Sequence, residues 1–398
     1  MARALLVGAF GQRNPGDDAL LSAFAAALPG WEIVVPSADP DMVTSGSETA
    51  GGRAGSAVGT YVTAIPNSPG RVFAALLSCD AVVVGGGTVF KLLKPSTGRR
   101  PRSLLLRAML LTRGAKTAGK PVAIVGVGAD DLTGRRARLL ASHIAASADM
   151  LVVRDEDSAD LLAAAGVPVP IRLGTDAVWT LLSDLRPAPA GREPAGAVLV
   201  TPSRHAKDAG RYAVLAASLT TLLRERPELT EVRIEPWQVG GQVGGRSADD
   251  LLLARELEAA LRVAGCPSVE VIAPPMSVLD AAAGYRDAAL VVGQRFHSLV
   301  AAAAAGCRFV ADPSEPKLAA IARSFGQAVI QPETSVGVLT ETLHAALDGP
   351  APSREEVQRQ TATARTMLGL MRTVLEGGRS GAPDELQSLT LRPTALVR

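Results

Sequence analysis

Arg295 and His297 stand two residues apart in the run Val291-Val292-Gly293-Gln294-Arg295-Phe296-His297-Ser298. An arginine offers paired N–H donors to a carboxylate or phosphate, and a histidine exchanges a proton near neutral pH. The apolar run 288–292 reads as a buried strand and the alanine-rich run 299–305 as a helix. The pair therefore falls in a strand-to-helix turn, with Ser298 at the expected helix start. A helix N-terminus carries unsatisfied N–H groups and partial positive charge, so such a turn favours anions. The chemistry this implies is a phosphate or carboxylate held beside a titratable acid.

Other strand ends carry residues of the same kind. Arg154 follows the apolar run 150–153, and His205 closes Pro202-Ser203-Arg204-His205 after the run 197–201. Lys317, beside Pro316, falls in the first turn of an expected helix, where a cation is disfavoured by the helix dipole unless an anion is bound. The first strand runs into Gly8-Ala9-Phe10-Gly11-Gln12-Arg13-Asn14-Pro15-Gly16-Asp17-Asp18, where Asn14 and Asp17 are placed to hold polar ligand groups. Gln12 and Arg13 break the spacing of a dinucleotide fingerprint, and no glycine-rich turn ends in the Gly-Lys-Ser/Thr of a P-loop. Gly85-Gly86-Gly87-Thr88 ends another strand; Gly86, Gly87 and Thr88 suit a ligand approaching bare backbone, and a plain turn explains them equally well. Ser298 and Asp176 are each explained as well by helix capping as by ligand contact, and the 155–157 carboxylates offer Arg154 local ion pairs.

These residues need a scaffold that brings strand ends together. Short apolar runs alternate with helical stretches from residue 4 to 165, and again from 197 to 346, which predicts two open α/β sheets with helices on both faces. The expected organisation is a Rossmann-like domain over 1–185, a Pro-, Ala- and Gly-rich linker over 186–196 and a second Rossmann-like domain over 197–350. A long helix over 351–376 and an unstructured tail over 377–398 complete it. In such sheets ligands bind beyond the carboxyl ends of the strands, here a cleft between the domains. The 398 residues are ample for two cores at 47% hydrophobic content. A net charge of +2 and 3% aromatics argue against a nucleic-acid partner. Cys79, Cys266 and Cys307 are dispersed, so neither a disulfide framework nor a metal cluster is expected, and His143 and His344 fall within helices. With no signal-like leader and no apolar run near the roughly 18 residues that span a bilayer, a cytoplasmic location is expected.

Taken in order, these blocks resemble the polysaccharide pyruvyl transferase family. The resemblance lies in Asn14-Pro15-Gly16-Asp17-Asp18-Ala19-Leu20, Gly85-Gly86-Gly87-Thr88 and Gly126-Val127-Gly128. It continues through Arg154-Asp155-Glu156-Asp157-Ser158, Gly174-Thr175-Asp176-Ala177, Arg295-Phe296-His297-Ser298 and Lys317. Arg308 stands where members usually carry proline, and the stretch 312–317 before the lysine looks longer than theirs. The resemblance implies a two-domain architecture like that of GT-B glycosyltransferases and phosphoenolpyruvate as donor substrate, with no cofactor. It implies a sugar acceptor that becomes a pyruvate ketal, often in wall polymers that anchor S-layers, and it assigns Arg154, His297 and Lys317 to the catalytic centre. The residues agree with that chemistry. A donor bearing a carboxylate and a phosphate needs firm cations, supplied by Arg154, Arg295 and Lys317. Protonating its methylene carbon needs an acid such as a histidine beside anions, which keep it charged. A nucleotide-sugar glycosyltransferase and a non-catalytic anion- or sugar-binding protein are the alternatives.

The segment 91–120 holds nine basic residues and no acidic one, with Leu104-Leu105-Leu106 and Met109-Leu110-Leu111 among them. It reads as a surface for docking on an anionic membrane or as a core helix with a basic flank.

Overall fold

The computed structural model describes residues 1–43, 60–94, 98–183, 185, 196–203, 209–243, 246–377 and 389–392. The glycine- and serine-rich stretch 44–59, the linker 186–195 and His205 lie outside the described residues.

The first half alternates strands β1 (Ala2–Val7), β2 (Trp31–Ser37), β3 (Tyr61–Pro66), β4 (Ala81–Gly85), β5 (Thr88–Lys91), β6 (Val122–Asp130), β7 (Met150–Val153) and β8 (Ile171–Leu173). Its helices are α1 (Pro15–Ala27), α2 (Pro69–Ser78), α3 (Ser103–Thr117), α4 (Arg135–Ala146) and α5 (Glu156–Ala164). Second-half strands are β9 (Ala197–Thr201), β10 (Glu231–Ile234), β11 (Gly241–Val243), β12 (Arg246–Ala248), β13 (Val269–Val271), β14 (Ala288–Gly293), β15 (Phe309–Ala311) and β16 (Ala328–Val329). Its helices are α6 (Ala209–Glu225), α7 (Asp250–Val263), α8 (Val278–Tyr285), α9 (Phe296–Ala305), α10 (Pro316–Ser324) and α11 (Val336–Asp348). Then α12 (Arg354–Leu375) and β17 (Leu391–Arg392) return to the first half. The large sheet has the order β17-β8-β7-β6-β4-β1-β2-β3 with β5 beside β6. The second sheet has the order β13-β10-β9-β14-β15-β16, all parallel. This is the expected pair of Rossmann-like α/β layers.

Three apolar clusters hold the molecule together, and their division explains the cleft. One lies under α2–α5 on the outer face of the first sheet, and one under α6, α7 and α11 on the outer face of the second. The third is shared between the halves. Leu20 and Phe24 of α1, Trp179, Trp237, Tyr285, Leu299, Phe325 and Met367 of α12 belong to a single buried group. The halves are thus welded along one side, leaving polar strand ends beside the weld.

The structure refines the sequence reading at several places. Strand β6 runs through Gly126-Val127-Gly128 to Asp130. Gly126, at φ +66°, is a bulge inside β6, where the register with β7 shifts between Val125 and Val127. The tail expected to be unstructured puts Leu389 into the shared core and pairs Leu391–Arg392 antiparallel with β8. Helix α9 begins at Phe296, so Arg295 is its N-cap residue and Ser298 lies inside its first turn. Strand β12 ends at Ala248, and α7 starts at Asp250 behind the capping side chain of Asp249.

Candidate active site

Arg154 leaves β7 and is buried where the two halves meet. Its Nη2 donates to Thr88 Oγ1 at 3.1 Å and its Nε to Asp155 Oδ2 at 3.2 Å. Across the cleft its guanidinium lies over the Phe296 ring, 4.7 Å from the centroid, a cation–π contact between the halves. Glycines at two sites make this placement. Gly86 and Gly87, at φ +68° and +70°, bend the chain sharply so that β5 starts with Thr88 facing the arginine. Gly128 on β6 leaves room, because a Cβ there would stand 2.6 Å from Arg154 Nη2. Gly86 itself backs onto Leu20, so its role is to make the turn, not to cradle a ligand.

His297, the second residue of α9, points into the same region from the other half. Its ring leans on the N-terminus of α1, where a side chain at Gly16 would collide with the imidazole. Its Nε2 is buried, has no hydrogen-bond partner, and lies 3.7 Å from Asp176 Oδ2. That oxygen is also buried without a hydrogen bond, and Arg154 Nη1 stands 3.9 Å from it. Asp176 has two separate duties. Its Oδ1 accepts from Val178 N at 3.0 Å to cap a short 3-10 helix, while Oδ2 faces the histidine and the arginine. Burial alone would push the Asp176 carboxyl up. The facing His297 and the Arg154 charge outweigh it and hold the group below the usual carboxylate range.

Lys317 enters from the second position of α10 and pairs with Glu315 at 2.9 Å; that carboxylate, on the helix N-cap residue, offsets the cation at the helix start. Arg154, Asp155 and Lys317 are common to two adjoining recesses. One continues past Thr88 and Asp130, the other past Asp176, Trp179, Phe296 and Gln360. Trp179 of the first half and Phe325 of the second close the latter with rings 5.5 Å apart. Lys91, at the end of β5, also belongs to this cationic group. Burial pushes its ammonium down, Lys317 and Arg154 add to the push, and Glu315 and Asp130 oppose it. Among the described residues no group of His, Cys, Asp and Glu could hold a metal ion.

The sequence-predicted residues divide. Arg154, His297, Lys317 and Thr88 meet at the cleft. Asn14 caps α1, accepting from Gly16 N at 3.1 Å and donating to Asp17 Oδ2 at 2.8 Å. Burial pushes the Asp17 carboxyl up while His297, Lys317 and Arg295 oppose the shift, which places Asp17 at the edge of the same charge cluster. Ser298 is buried inside α9; it donates to Arg295 O at 2.7 Å and bonds Thr201 at 2.7 Å. Its hydroxyl is spent on joining α9 to β9, which leaves no part in ligand binding. Arg295 does not reach the cleft cations. Its guanidinium is tied to Asp250, whose other oxygen accepts from Trp237 N and Gln238 N. Gly16 and Lys91 were missed, with the N-P-G-D-D run the one hint at Gly16; Asp176, open between capping and ligand contact in the sequence, caps with one oxygen and faces the cleft with the other.

The same arrangement of halves recurs in solved structures. A putative UDP-N-acetylglucosamine 2-epimerase from Listeria monocytogenes superposes with a TM-score of 0.57 at 12% identity, over 94% of this chain and 96% of that one. The UDP-GlcNAc 2-epimerase of Methanocaldococcus jannaschii gives 0.58 at 12%, over 93% and 99%. HepE of Anabaena, solved with UDP and glucose, gives 0.55 at 12%, over 98% and 100%. At such identities the likeness establishes the GT-B-like architecture and nothing finer. No curated protein matches the chain. Residues 14–311, from the α1 cap to β15 and so including Arg154, Asp176 and His297, match polysaccharide pyruvyl transferase, and the chain belongs to that family.

Proposed function

We propose that the protein transfers the pyruvyl group of phosphoenolpyruvate to two hydroxyls of a sugar, forming a pyruvate ketal and releasing phosphate. We assign the acceptor to an N-acetylmannosamine-type residue of a lipid-linked wall-glycan precursor, modified at the inner face of the cytoplasmic membrane and used in S-layer anchoring. The observation that carries the reading is the meeting of Arg154 and Lys317, from opposite halves, in one recess beside an unpartnered, buried imidazole nitrogen.

Arg154 and Lys317 hold the donor's carboxylate and phosphate from the two sides of the cleft, with Lys91 adding charge on the Thr88 side. His297 gives its proton to the methylene carbon, leaving a cation-like centre at C2. One sugar hydroxyl attacks that carbon, the C–O bond to phosphate breaks, and a second hydroxyl closes the ketal. Of the two hydroxyl protons released, one restores His297 and the other leaves on phosphate. Asp176 Oδ2 faces the ring nitrogen across 3.7 Å, which sets a carboxylate opposite the proton donor. Donors already carrying protein ion pairs must give them up, so Glu315 and Asp155 are the groups that phosphate and carboxylate displace.

Phosphate release from phosphoenolpyruvate against a panel of lipid-linked and soluble N-acetylhexosamine acceptors tests the reading. His297→Ala is expected to abolish turnover while donor affinity stays within about tenfold, or 1.4 kcal/mol. Release by the variant at the parent rate, or calorimetric binding of UDP in place of phosphoenolpyruvate, overturns it.

A further inference from the structure

The outer helix layers of the two halves are built alike and charged differently. On the first sheet α2, α3 and α4 lie side by side over the face turned away from the second half, with α3 in the middle. They carry Arg71; Arg107, Arg113 and Lys116; and Arg135, Arg136 and Arg138, with no Asp or Glu on any of the three. The matching layer of the second sheet, α6, α7 and α11, carries one, three and two carboxylates against two, two and no arginines. The cleft chemistry gives no reason for this asymmetry.

The basic face is also apolar. Phe73 and Leu77 of α2 are 59% and 61% exposed, Leu106 and Leu110 of α3 44% and 66%, and Leu139 of α4 55%. On α3 the exposed positions Arg102, Leu106, Leu110 and Arg113 recur every three or four residues, a single outward stripe. Few of the cations are neutralised. Lys116 pairs with Asp149 and Arg107 donates to Asn67, but Arg71, Arg135, Arg136 and Arg138 have no carboxylate partner among the described residues. Arg113 faces His143 at 3.2 Å, another group of like sign when protonated.

We propose that the face formed by α2, α3 and α4 docks on an anionic lipid bilayer. Its cations meet the headgroup phosphates while Phe73, Leu77, Leu106, Leu110 and Leu139 enter the boundary with the acyl chains. Charge complementarity selects this occupant. A second copy of the chain would press like-charged faces together, and a nucleic acid would reward the cations but not five exposed aliphatic or aromatic side chains. No helix among the described residues is long and apolar enough to cross a membrane, so the contact is peripheral. The sequence pointed only to the middle helix; the fold adds α2 and α4 to it. The same segment that carries Thr88 and Lys91 at the recess runs on through Arg99, Arg100 and Arg102 into α3, so the face joins one wall of the cleft in the chain. The proposal stands on this surface and not on the donor assigned to the cleft.

Co-sedimentation of the full chain with vesicles of phosphatidylglycerol in phosphatidylcholine, against phosphatidylcholine alone, tests it. The protein is expected to partition onto the anionic vesicles and to be released by salt. The triple change Arg135→Glu, Arg136→Glu, Arg138→Glu should lower partitioning by about tenfold or more. Phe73→Ser with Leu110→Ser should lower it as well while leaving the salt dependence in place. Both variants lie outside the cleft, so their melting temperatures and their phosphate release with a soluble acceptor should equal the parent's. Absence of parent binding to anionic vesicles, parent-like binding by both variants, or a solution dimer broken by the Phe73 and Leu110 changes overturns the proposal. Parent binding without phosphate release from phosphoenolpyruvate leaves the docking face standing and removes the cleft reading alone.

Discussion

Arg154 and Arg295 are the same residue type in the same kind of place, the turn after a central parallel strand, yet they do opposite things. Arg154 follows β7 and turns into the cleft. There it touches Thr88 and Asp155 on its own side, lies near Asp176, and meets Phe296 from the other half. Arg295 follows β14 and turns back into its own half. It joins Asp250, which receives the Trp237 and Gln238 amides, while the Trp237 indole donates to Glu235 at 2.9 Å. In the second turn it is the histidine two residues later that crosses to the other half. A cation at a strand end is therefore available to a ligand only if no buried carboxylate of its own layer claims it first.

The sharpest way to break this contrast is to remove each arginine and ask what fails. Arg154→Ala is expected to cost activity about 10⁴-fold, about 5 kcal/mol of transition-state stabilisation. Some stability should be lost with it, because Arg154 is buried and faces the buried Asp176. Steady-state phosphate release together with a thermal melt measures both. A loss below tenfold would make Arg154 another structural arginine and erase the distinction.

Asp176→Asn tests the crossing histidine. Asparagine keeps an Oδ1 acceptor for Val178 N but removes the charge opposite His297. A loss of about 10³-fold in rate is expected. The other charged groups around the ring, Asp17, Arg295, Lys317 and Arg154, are unchanged by the substitution. A loss below tenfold would leave Asp176 as a helix cap only.

Much of this site could be read before any coordinates, and the reason is topological. Parallel strands send all their carboxyl ends to one edge, so Arg154, His297 and Lys317, each just past a strand, were bound to share a cleft. What could not be read depends on short distances between remote positions. Asp250 is 45 residues before Arg295, so nothing local announces that it occupies the arginine. Gly126 and Gly128 stand two residues apart in one strand, yet one supplies a bulge and the other makes room for Arg154, which nothing local announces. Strand β3 sits at the sheet edge and pairs with β2, a placement decided by the strand order and not by its own residues. Ser298 was assigned to the helix start because small polar residues favour caps, but α9 begins two residues earlier with Arg295 as cap.

The other half of the comparison predicts a stability defect where Arg154 gives a catalytic one. Arg295→Ala leaves Asp250 buried with one oxygen unpartnered, and breaking a buried pair in this way costs about 3–4 kcal/mol. Chemical denaturation is expected to show that loss, while the molecules that remain folded keep phosphate release within about tenfold. Pairing it with Asp250→Asn, which removes the charge left behind, should recover part of the stability. A large catalytic loss at parent stability would return Arg295 to the donor site.

Glu235, at the far end of the same network, gives the smallest effect and the clearest sign. Burial pushes its carboxyl up to about 7, against hydrogen bonds from Tyr285 and Trp237 that favour the charged form. The folded protein therefore keeps this proton at pH values where the unfolded chain, with an ordinary glutamate near 4.3, has lost it. Stability from the group is full below the ordinary value, falls as pH rises toward about 7, and is absent above it. Glu235→Gln retains an acceptor oxygen for both donors and cannot ionise. Between pH 5 and pH 8 the variant should gain about 2 kcal/mol relative to the parent. Asp18, also pushed up to about 7 by burial and then by Asp17, leaves a residual slope of the same sign in both proteins, which cancels in the difference. Parallel stability curves for the two proteins would mean that Glu235 is already ionised in the fold. The network behind Arg295 would then hold two buried carboxylates for one cation, and Arg295 would be more firmly confined to its own half.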